Sequence, residues 1–106
     1  MDKEISATDA HNSLKQNPDT VLLDVREDSE LEICKIEKAL HIPMGQLLER
    51  ADTLPKDRPI IVFCHHGMRS MNVVRYLKSK GFDKIASMRG GIHAWANEVD
   101  PEISQY

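Results

Sequence analysis

Residues 64–70, which read Cys-His-His-Gly-Met-Arg-Ser, combine a thiol nucleophile with a nearby fixed cation. Four residues separate Cys64 from Arg69, and a helical pattern begins directly after them. A loop that leads into a helix directs backbone amides and the positive end of the helix dipole at any anion it holds. Such a setting stabilises a cysteine thiolate and raises its nucleophilicity at neutral pH. The segment therefore predicts a loop in which Cys64 is the nucleophile and the positive charge of Arg69 stabilises an anion.

The remaining residues of this loop are candidates for binding the substrate. Gly67 permits a tight turn whose backbone approaches the ligand closely. Ser70 is first of all an N-cap or first-turn residue and only then a ligand contact. Met68 can line the rim of the site or fill the core. His65 and His66 can add positive charge or hydrogen bonds, or they can be passive surface residues.

The elements on either side of the loop must hold it in place. Residues 60–63 (Ile-Ile-Val-Phe) form a short apolar run, which is typical of a buried strand. From residue 70 to residue 80, apolar positions recur at helical spacing until Gly81 ends the pattern. A strand, a loop and a helix in this order place Cys64 at the carboxyl edge of a sheet, where open α/β sheets bind their ligands.

Short apolar runs alternate with helical patterns along the rest of the chain. Further strands are predicted at residues 21–25, 39–43 and 85–88. Further helices are predicted to begin at Ser6, Gln46 and Ile92. Continuous apolarity of the two longest runs favours central, parallel strands. The alternation predicts an α/β fold with a mainly parallel central sheet of about five strands, flanked by helices.

Length and composition narrow the class of protein. A chain of 106 residues matches one domain, so a single domain is expected over residues 1–106. With 41% hydrophobic and 29% charged residues, no apolar run approaches the roughly 18 residues that span a bilayer. A net charge of -3 and the lack of a Lys/Arg run argue against nucleic acid as a partner. The charged start, residues 1–4, lacks the apolar stretch of a secretion signal, so a cytoplasmic location is expected.

The two cysteines lie in segments of different character. They allow at most one disulfide, whereas small secreted scaffolds usually carry several, so reduced thiols are expected. Cys34 lies between Glu32 and Glu37, which disfavour a thiolate, and Lys35 offsets them only in part. We therefore expect Cys34 to pack against its neighbours and to react slowly.

Four segments between residues 23 and 95 match, in order, the motifs of one known family. Residues 61–70 (Ile-Val-Phe-Cys-His-His-Gly-Met-Arg-Ser) resemble the active-site loop of the rhodanese family. Residues 23–27 (Leu-Asp-Val-Arg-Glu) resemble the family's Asp-x-Arg segment. Residues 39–43 (Ala-Leu-His-Ile-Pro) resemble its Ala-x-Asn/His-Ile-Pro segment, and residues 90–95 (Gly-Gly-Ile-His-Ala-Trp) resemble its Gly-Gly-x-x-x-Trp segment. One departure is Lys38, where the family usually has glycine.

The resemblance implies a rhodanese-like fold and sulfurtransferase activity. Cys64 would attack the outer sulfur of thiosulfate or of a persulfide donor and hold the sulfane sulfur as a persulfide, which the loop amides would stabilise. Arg69 would bind the donor's anionic group, because a guanidinium offers fixed, paired donors. The acceptor would be a thiol, cyanide or a protein. No cofactor and no metal are expected, and neither a membrane nor a nucleic acid is expected as a partner.

Structural roles are predicted for three further residues. Asp24 and Arg26 are predicted to form a structural ion pair near the site, and Trp95 to lie in the core. The last segment, from Val99 to Tyr106, resembles the tail of rhodanese domains fused to adenylyltransferases of sulfur-carrier pathways.

Other classes of protein share parts of this pattern. A cysteine phosphatase also joins a strand to a helix through a loop ending in arginine, but its Cys-x5-Arg loop is one residue longer. A non-catalytic interaction or sulfur-carrier module of the rhodanese fold remains the alternative, although many such modules lack the cysteine or arginine that this chain keeps. A metal site from Cys64, His65 and His66 is disfavoured because adjacent residues do not readily converge on one tetrahedral ion. The lack of Cys-x2-Cys argues against thioredoxin-like redox chemistry.

Overall fold

The central sheet has five strands, and helices cover both of its faces. The computed structural model describes residues 3–106, so the first two residues of the charged start lie outside the described part. The strands are β1 (Glu4–Ile5), β2 (Val21–Asp24), β3 (Leu40–His41), β4 (Ile60–Phe63) and β5 (Ile85–Met88). The helices are α1 (Ala7–Gln16), α2 (Asp28–Ile33), α3 (Leu47–Arg50), α4 (Met68–Ser79) and α5 (Gly91–Glu98), with 3-10 turns at Met44–Gln46 and Ala51–Thr53.

The strand pairings described for this sheet are parallel, and the strand order is β1-β5-β4-β2-β3. This confirms the predicted α/β class with its parallel sheet of about five strands. Strand β4 lies in the middle of the sheet, between β5 and β2, and each of its residues is buried. Cys64 follows β4 directly and therefore lies at the carboxyl edge of the sheet, as predicted.

Alternate residues of the central strands enter two apolar layers. Leu23 and Val62, which are register partners, cluster with buried side chains of α3 and α4. Leu22 and Ile61, the neighbouring register pair, cluster on the other face with α1 and α5. Trp95 of α5 is buried in this second layer, which confirms its predicted place in the core. Because both faces are covered, these strands are apolar at successive positions.

The helix ends follow the capping residues found in the sequence. The Ser6 hydroxyl accepts a hydrogen bond from the amide of Asp9 at 3.0 Å, which caps α1 as expected. Helix α4 begins two residues earlier than predicted because Gly67, at φ 113°, already supplies its N-cap. Gly81, at φ 97°, follows the end of α4. Within residues 3–106, no helix is long and apolar enough to cross a membrane.

Helix α2 and strand β1 were not predicted. Helix α2 has no buried residue, so it lacks the apolar periodicity by which a helix is recognised. Its first turn is instead fixed by a capping box, in which the Glu30 carboxylate accepts the amide of Glu27 at 3.0 Å. Strand β1 is two residues long and is defined by its pairing with β5, which is distant in sequence.

Candidate active site

The sulfur of Cys64 lies inside a loop whose backbone amides point at it. Its Sγ accepts hydrogen bonds from the amide of Gly67 at 3.0 Å and from the amide of Ser70 at 3.4 Å. Cys64 as a whole is only 1% exposed. The amides belong to the N-cap and the first turn of α4, where unpaired N–H groups and the helix dipole favour an anion. The arrangement is suited to holding negative charge on the sulfur or on an atom bonded to it.

Two glycines allow the close backbone contacts of this loop. Gly67 has a left-handed backbone (φ 113°), and from this conformation its amide reaches the Cys64 sulfur. Gly91 has φ 61°, and a Cβ there would lie 2.4 Å from the carbonyl oxygens of both Cys64 and His65. The Cys64 carbonyl accepts the amide of Ile92 at 2.8 Å. The first turn of α5 therefore packs against the backbone of the loop. This close contact leaves no room for a side chain at position 91.

Ser70 joins the nucleophile loop to the sheet. Its hydroxyl donates to the Gly67 carbonyl at 3.0 Å, shares a 2.7 Å hydrogen bond with Ser87 of β5, and lies 3.6 Å from Cys64 Sγ. Both serines are fully buried. Ser70 is thus a first-turn residue and not the N-cap, which is Gly67. Ser87 is a neighbour of the site that no sequence motif indicates.

Replacing Ser70 with alanine is expected to destabilise the fold more than it changes the thiol. The Ser87 hydroxyl loses a buried partner, so the free energy of unfolding should fall by about 1–2 kcal/mol. The two amide donors to Cys64 remain, so the rate of its alkylation by iodoacetamide should change by less than about threefold. Denaturant unfolding measures the change in stability, and mass spectrometry over time measures the rate of alkylation. Ser79→Ala, at the exposed end of α4, is the control. An unchanged unfolding free energy would show that the serine pair does not anchor the loop.

Arg69 lies at the rim of the loop, hydrogen-bonded to a carboxylate of α2. Its Nη1 and Nη2 donate to the two oxygens of Glu30 at 2.6 and 2.8 Å. These hydrogen bonds are the main reason that the pKa of Glu30 is lowered to about 2, and they raise the pKa of Arg69. The pair is therefore ionised at neutral pH. The Arg69 side chain is 33% exposed.

Tyr106 connects this ion pair to the loop. Its hydroxyl donates to Glu30 Oε2 at 2.8 Å and accepts from Arg26 Nη1 at 2.9 Å. Its ring stacks on His65, with the ring centroids 3.7 Å apart and the planes 5° from parallel. Burial raises the pKa of Tyr106 to about 12, so its hydroxyl stays protonated and can donate at neutral pH. The segment ending at Tyr106 thus packs directly against the candidate site.

Asp24 and Arg26 form the ion pair predicted from the sequence. Arg26 Nη2 donates to Asp24 Oδ2 at 2.8 Å and Nε donates to Oδ1 at 3.0 Å, and both side chains are almost fully buried. The pair lies at the carboxyl end of β2, beside β4 in the sheet. Arg26 also donates to the Cys34 carbonyl at 3.0 Å. It therefore ties the end of β2 to the segment after α2.

Three imidazole rings lie together on the outer side of the loop. The ring centroids of His65 and His66 are 3.9 Å apart, and those of His66 and His93 are 5.1 Å apart. Burial, followed by the electrostatic effect of neighbouring His66, lowers the pKa of His65, which favours the neutral form of this ring. In the described residues, no three His, Cys, Asp or Glu side chains are grouped so as to hold a metal ion.

Met68 and Cys34 differ in how far their side chains are exposed. Met68, the first residue of α4, is 81% exposed, so the alternative of core filling is wrong. Cys34 is half-buried and packs against the layer formed with α1 and α5, as expected. Its Sγ lies 3.9 Å from Arg26 Nη1. Both cysteines are free thiols.

The structure places the predicted site residues in one loop and the first turn of α4, and it adds three that were missed. Those it assembles around the end of β4 are Cys64, His65, His66, Gly67, Met68, Arg69 and Ser70. The added residues are Glu30, Ser87 and Tyr106. Of these, only Tyr106 had a signal in the sequence, because it belongs to the segment that resembles the tail of fused rhodanese domains.

Comparison with known proteins places the chain among rhodanese-like domains. The sequence model for the Rhodanese-like domain matches residues 6–98. YtwF of Bacillus subtilis is 41% identical over 100 residues, which cover 94% of this chain and 96% of YtwF. The thiosulfate sulfurtransferase GlpE of Coxiella burnetii is 36% identical over 95 residues, which cover 90% of this chain and 88% of GlpE.

Two further comparisons concern the closing segment and the fold. The adenylyltransferase and sulfurtransferase MOCS3 of Drosophila grimshawi is 32% identical over 113 residues, which cover 99% of this chain and 25% of MOCS3. This match confirms the resemblance to rhodanese domains joined to an adenylyltransferase. The crystal structure of a rhodanese-related protein from Thermoplasma volcanium has a TM-score of 0.84 at 33% identity, and the match covers 98% of this chain and 99% of that one.

Proposed function

The chain belongs to the rhodanese-like family, and we propose that it is a sulfurtransferase that carries sulfane sulfur on Cys64 as a persulfide. The observation that supports this most directly is that the Cys64 sulfur accepts hydrogen bonds from two backbone amides at the start of α4. Such donors stabilise an anion without any change in their own position. Cys64 is 1% exposed, so only the narrow tip of a donor can reach it, and a terminal sulfur atom is such a tip.

The proposed transfer has two displacement steps. In the first, the Cys64 thiolate attacks the outer sulfur of thiosulfate or of a persulfide, and a new S–S bond forms. The donor's own S–S bond breaks, and its electron pair leaves on sulfite or on the donor thiolate. In the second, a thiolate, cyanide or a protein thiol attacks the outer sulfur of the Cys64 persulfide. The Cys64 thiolate then leaves, so the enzyme returns to its starting state with no net oxidation.

The loop residues have separate proposed roles in these steps. The amides of Gly67 and Ser70 stabilise the negative charge on Cys64 and on the persulfide. Arg69, at the rim, is the proposed contact for the donor's anionic group. Met68 and the imidazoles of His65 and His66 border the path by which the donor enters, where exposed Met68 offers an apolar contact. GlpE, a thiosulfate sulfurtransferase by name, supports thiosulfate as one candidate donor.

The intact protein should gain the mass of one sulfur atom when it is incubated with thiosulfate or with glutathione persulfide. Cyanide should then remove that mass and release thiocyanate, because the persulfide sulfur is the electrophile of the second step. Mass spectrometry before and after cyanide treatment measures both steps, and protein alkylated with iodoacetamide beforehand is the control. A non-catalytic interaction module would gain no sulfur from either donor, and that result would refute the proposal.

A further inference from the structure

We propose that Glu30 determines donor specificity: it competes with an anionic donor for Arg69, so the site takes sulfur from an organic persulfide in preference to thiosulfate. This inference rests on the proposed function and deepens it. The competition follows from the geometry, because both ends of the Arg69 guanidinium fork already bind Glu30, at 2.6 and 2.8 Å. An oxyanion that uses the same fork must therefore displace a carboxylate.

Glu30 is held in place by more than Arg69. Its Oε1 accepts the amide of Glu27 at 3.0 Å, and its Oε2 accepts the hydroxyl of Tyr106 at 2.8 Å. The side chain is only 17% exposed. A carboxylate with these additional partners is fixed in orientation, so it stays next to Arg69 and competes at every encounter with a donor. Tyr106 is in turn held by its stacking on His65.

The charges around the loop offer a dianion little compensation. Arg26 is paired with Asp24 at 2.8 Å, and Arg69 is paired with Glu30, so these four side chains sum to zero charge. Burial lowers the pKa of His65, which disfavours a further positive charge on its ring. Thiosulfate brings two negative charges, and these two ion pairs supply no net positive charge to offset the cost of removing it from water.

An organic persulfide meets a different balance of forces. It needs no guanidinium at this position, because it has no sulfonate next to the transferred sulfur, which enters the amide cradle of Gly67 and Ser70 directly. Its organic part remains outside the loop, where Met68 exposes 81% of its surface. Glu30 therefore opposes the dianionic donor more strongly than the persulfide.

The test compares the two donors in three proteins: the wild type, Glu30→Gln and Glu32→Gln. The control removes the same charge from the same helix at an exposed position. We expect Glu30→Gln to raise kcat/KM for thiosulfate about tenfold, mainly through a lower KM, and to change kcat/KM for glutathione persulfide by less than about twofold. Sulfate, a dianion that cannot donate sulfur, should inhibit persulfide use about tenfold more tightly in Glu30→Gln. Glu32→Gln should resemble the wild type in each measurement.

The other outcomes decide against the inference. An equal loss with both donors would make Glu30 a structural support, and an unchanged ratio between the donors would show that it does not compete. If Glu30→Gln does not fold, Tyr106→Phe decides the matter, because it keeps the ring stack and removes one hydroxyl that holds Glu30. It should shift the ratio in the same direction by a smaller factor, and no shift would overturn the proposal. A wild type that accepts sulfur from neither donor would instead refute the sulfurtransferase function itself.

Discussion

Cys64→Ser is expected to abolish sulfur transfer, with turnover at least about a thousandfold below that of the wild type. A serine hydroxyl is not ionised at neutral pH and cannot form the S–S bond that carries the transferred atom. The fold should survive, because serine is close to cysteine in size and can still accept the amides of Gly67 and Ser70. Intact mass after thiosulfate or persulfide treatment should show no added sulfur, and circular dichroism should show native secondary structure.

Cys34→Ser is the matched control for this prediction. Cys34 is half-buried, packs against the layer formed with α1 and α5, and has Arg26 Nη1 at 3.9 Å. Its sulfur is not held by the amides of a helix start, so it has no equivalent of the Cys64 cradle. Cys34→Ser should therefore gain one sulfur atom and keep turnover within about twofold of the wild type. If a folded Cys34→Ser protein lost turnover, Cys34 would have to act as a relay thiol, and the mechanism with one cysteine would be wrong.

The sequence predicted the parts of the site that are contiguous in the chain. Strand β4, the loop and α4 follow one another, so the apolar run, Gly67 and the helical spacing were enough to place Cys64 at the edge of the sheet. The Asp24–Arg26 pair could be predicted for the same reason, since its members are two residues apart. Gly91 belonged to a recognised motif, but its contact with the Cys64 carbonyl is a tertiary feature that appears only in the structure.

The residues that the sequence did not reveal are those joined by tertiary contacts. Glu30 is 39 residues from Arg69 and 76 residues from Tyr106, and no local pattern encodes such pairings. Helix α2, which carries Glu30, has no fully buried apolar residue and so shows no apolar periodicity. The functional consequence was therefore missed: Arg69 was expected to face a donor, whereas here it also faces a carboxylate of its own chain.

Arg69→Ala is expected to lower kcat/KM for thiosulfate about a hundredfold, because the donor loses the guanidinium proposed to bind its anionic group. Arg69→Lys should recover only part of this loss, since an ammonium keeps the charge but cannot reproduce the paired donors. Arg75→Ala removes an exposed guanidinium from the same helix and should leave turnover close to that of the wild type. Steady-state kinetics with thiosulfate, together with thermal unfolding of each variant, separates lost binding from lost stability. Wild-type turnover and KM in Arg69→Ala would mean that the backbone amides alone hold the anion.

The double variant Arg69→Ala/Glu30→Gln tests whether the two residues act on each other. If Glu30 affects thiosulfate only by occupying Arg69, then Glu30→Gln should raise kcat/KM about tenfold in the wild type and by far less once Arg69 is absent. Direct repulsion between Glu30 and the donor would instead leave the same gain in both backgrounds. Non-additive effects for thiosulfate, with additive effects for glutathione persulfide, are therefore the expected result. Such a pattern would identify the Glu30–Arg69 pair as the element that separates the two donors.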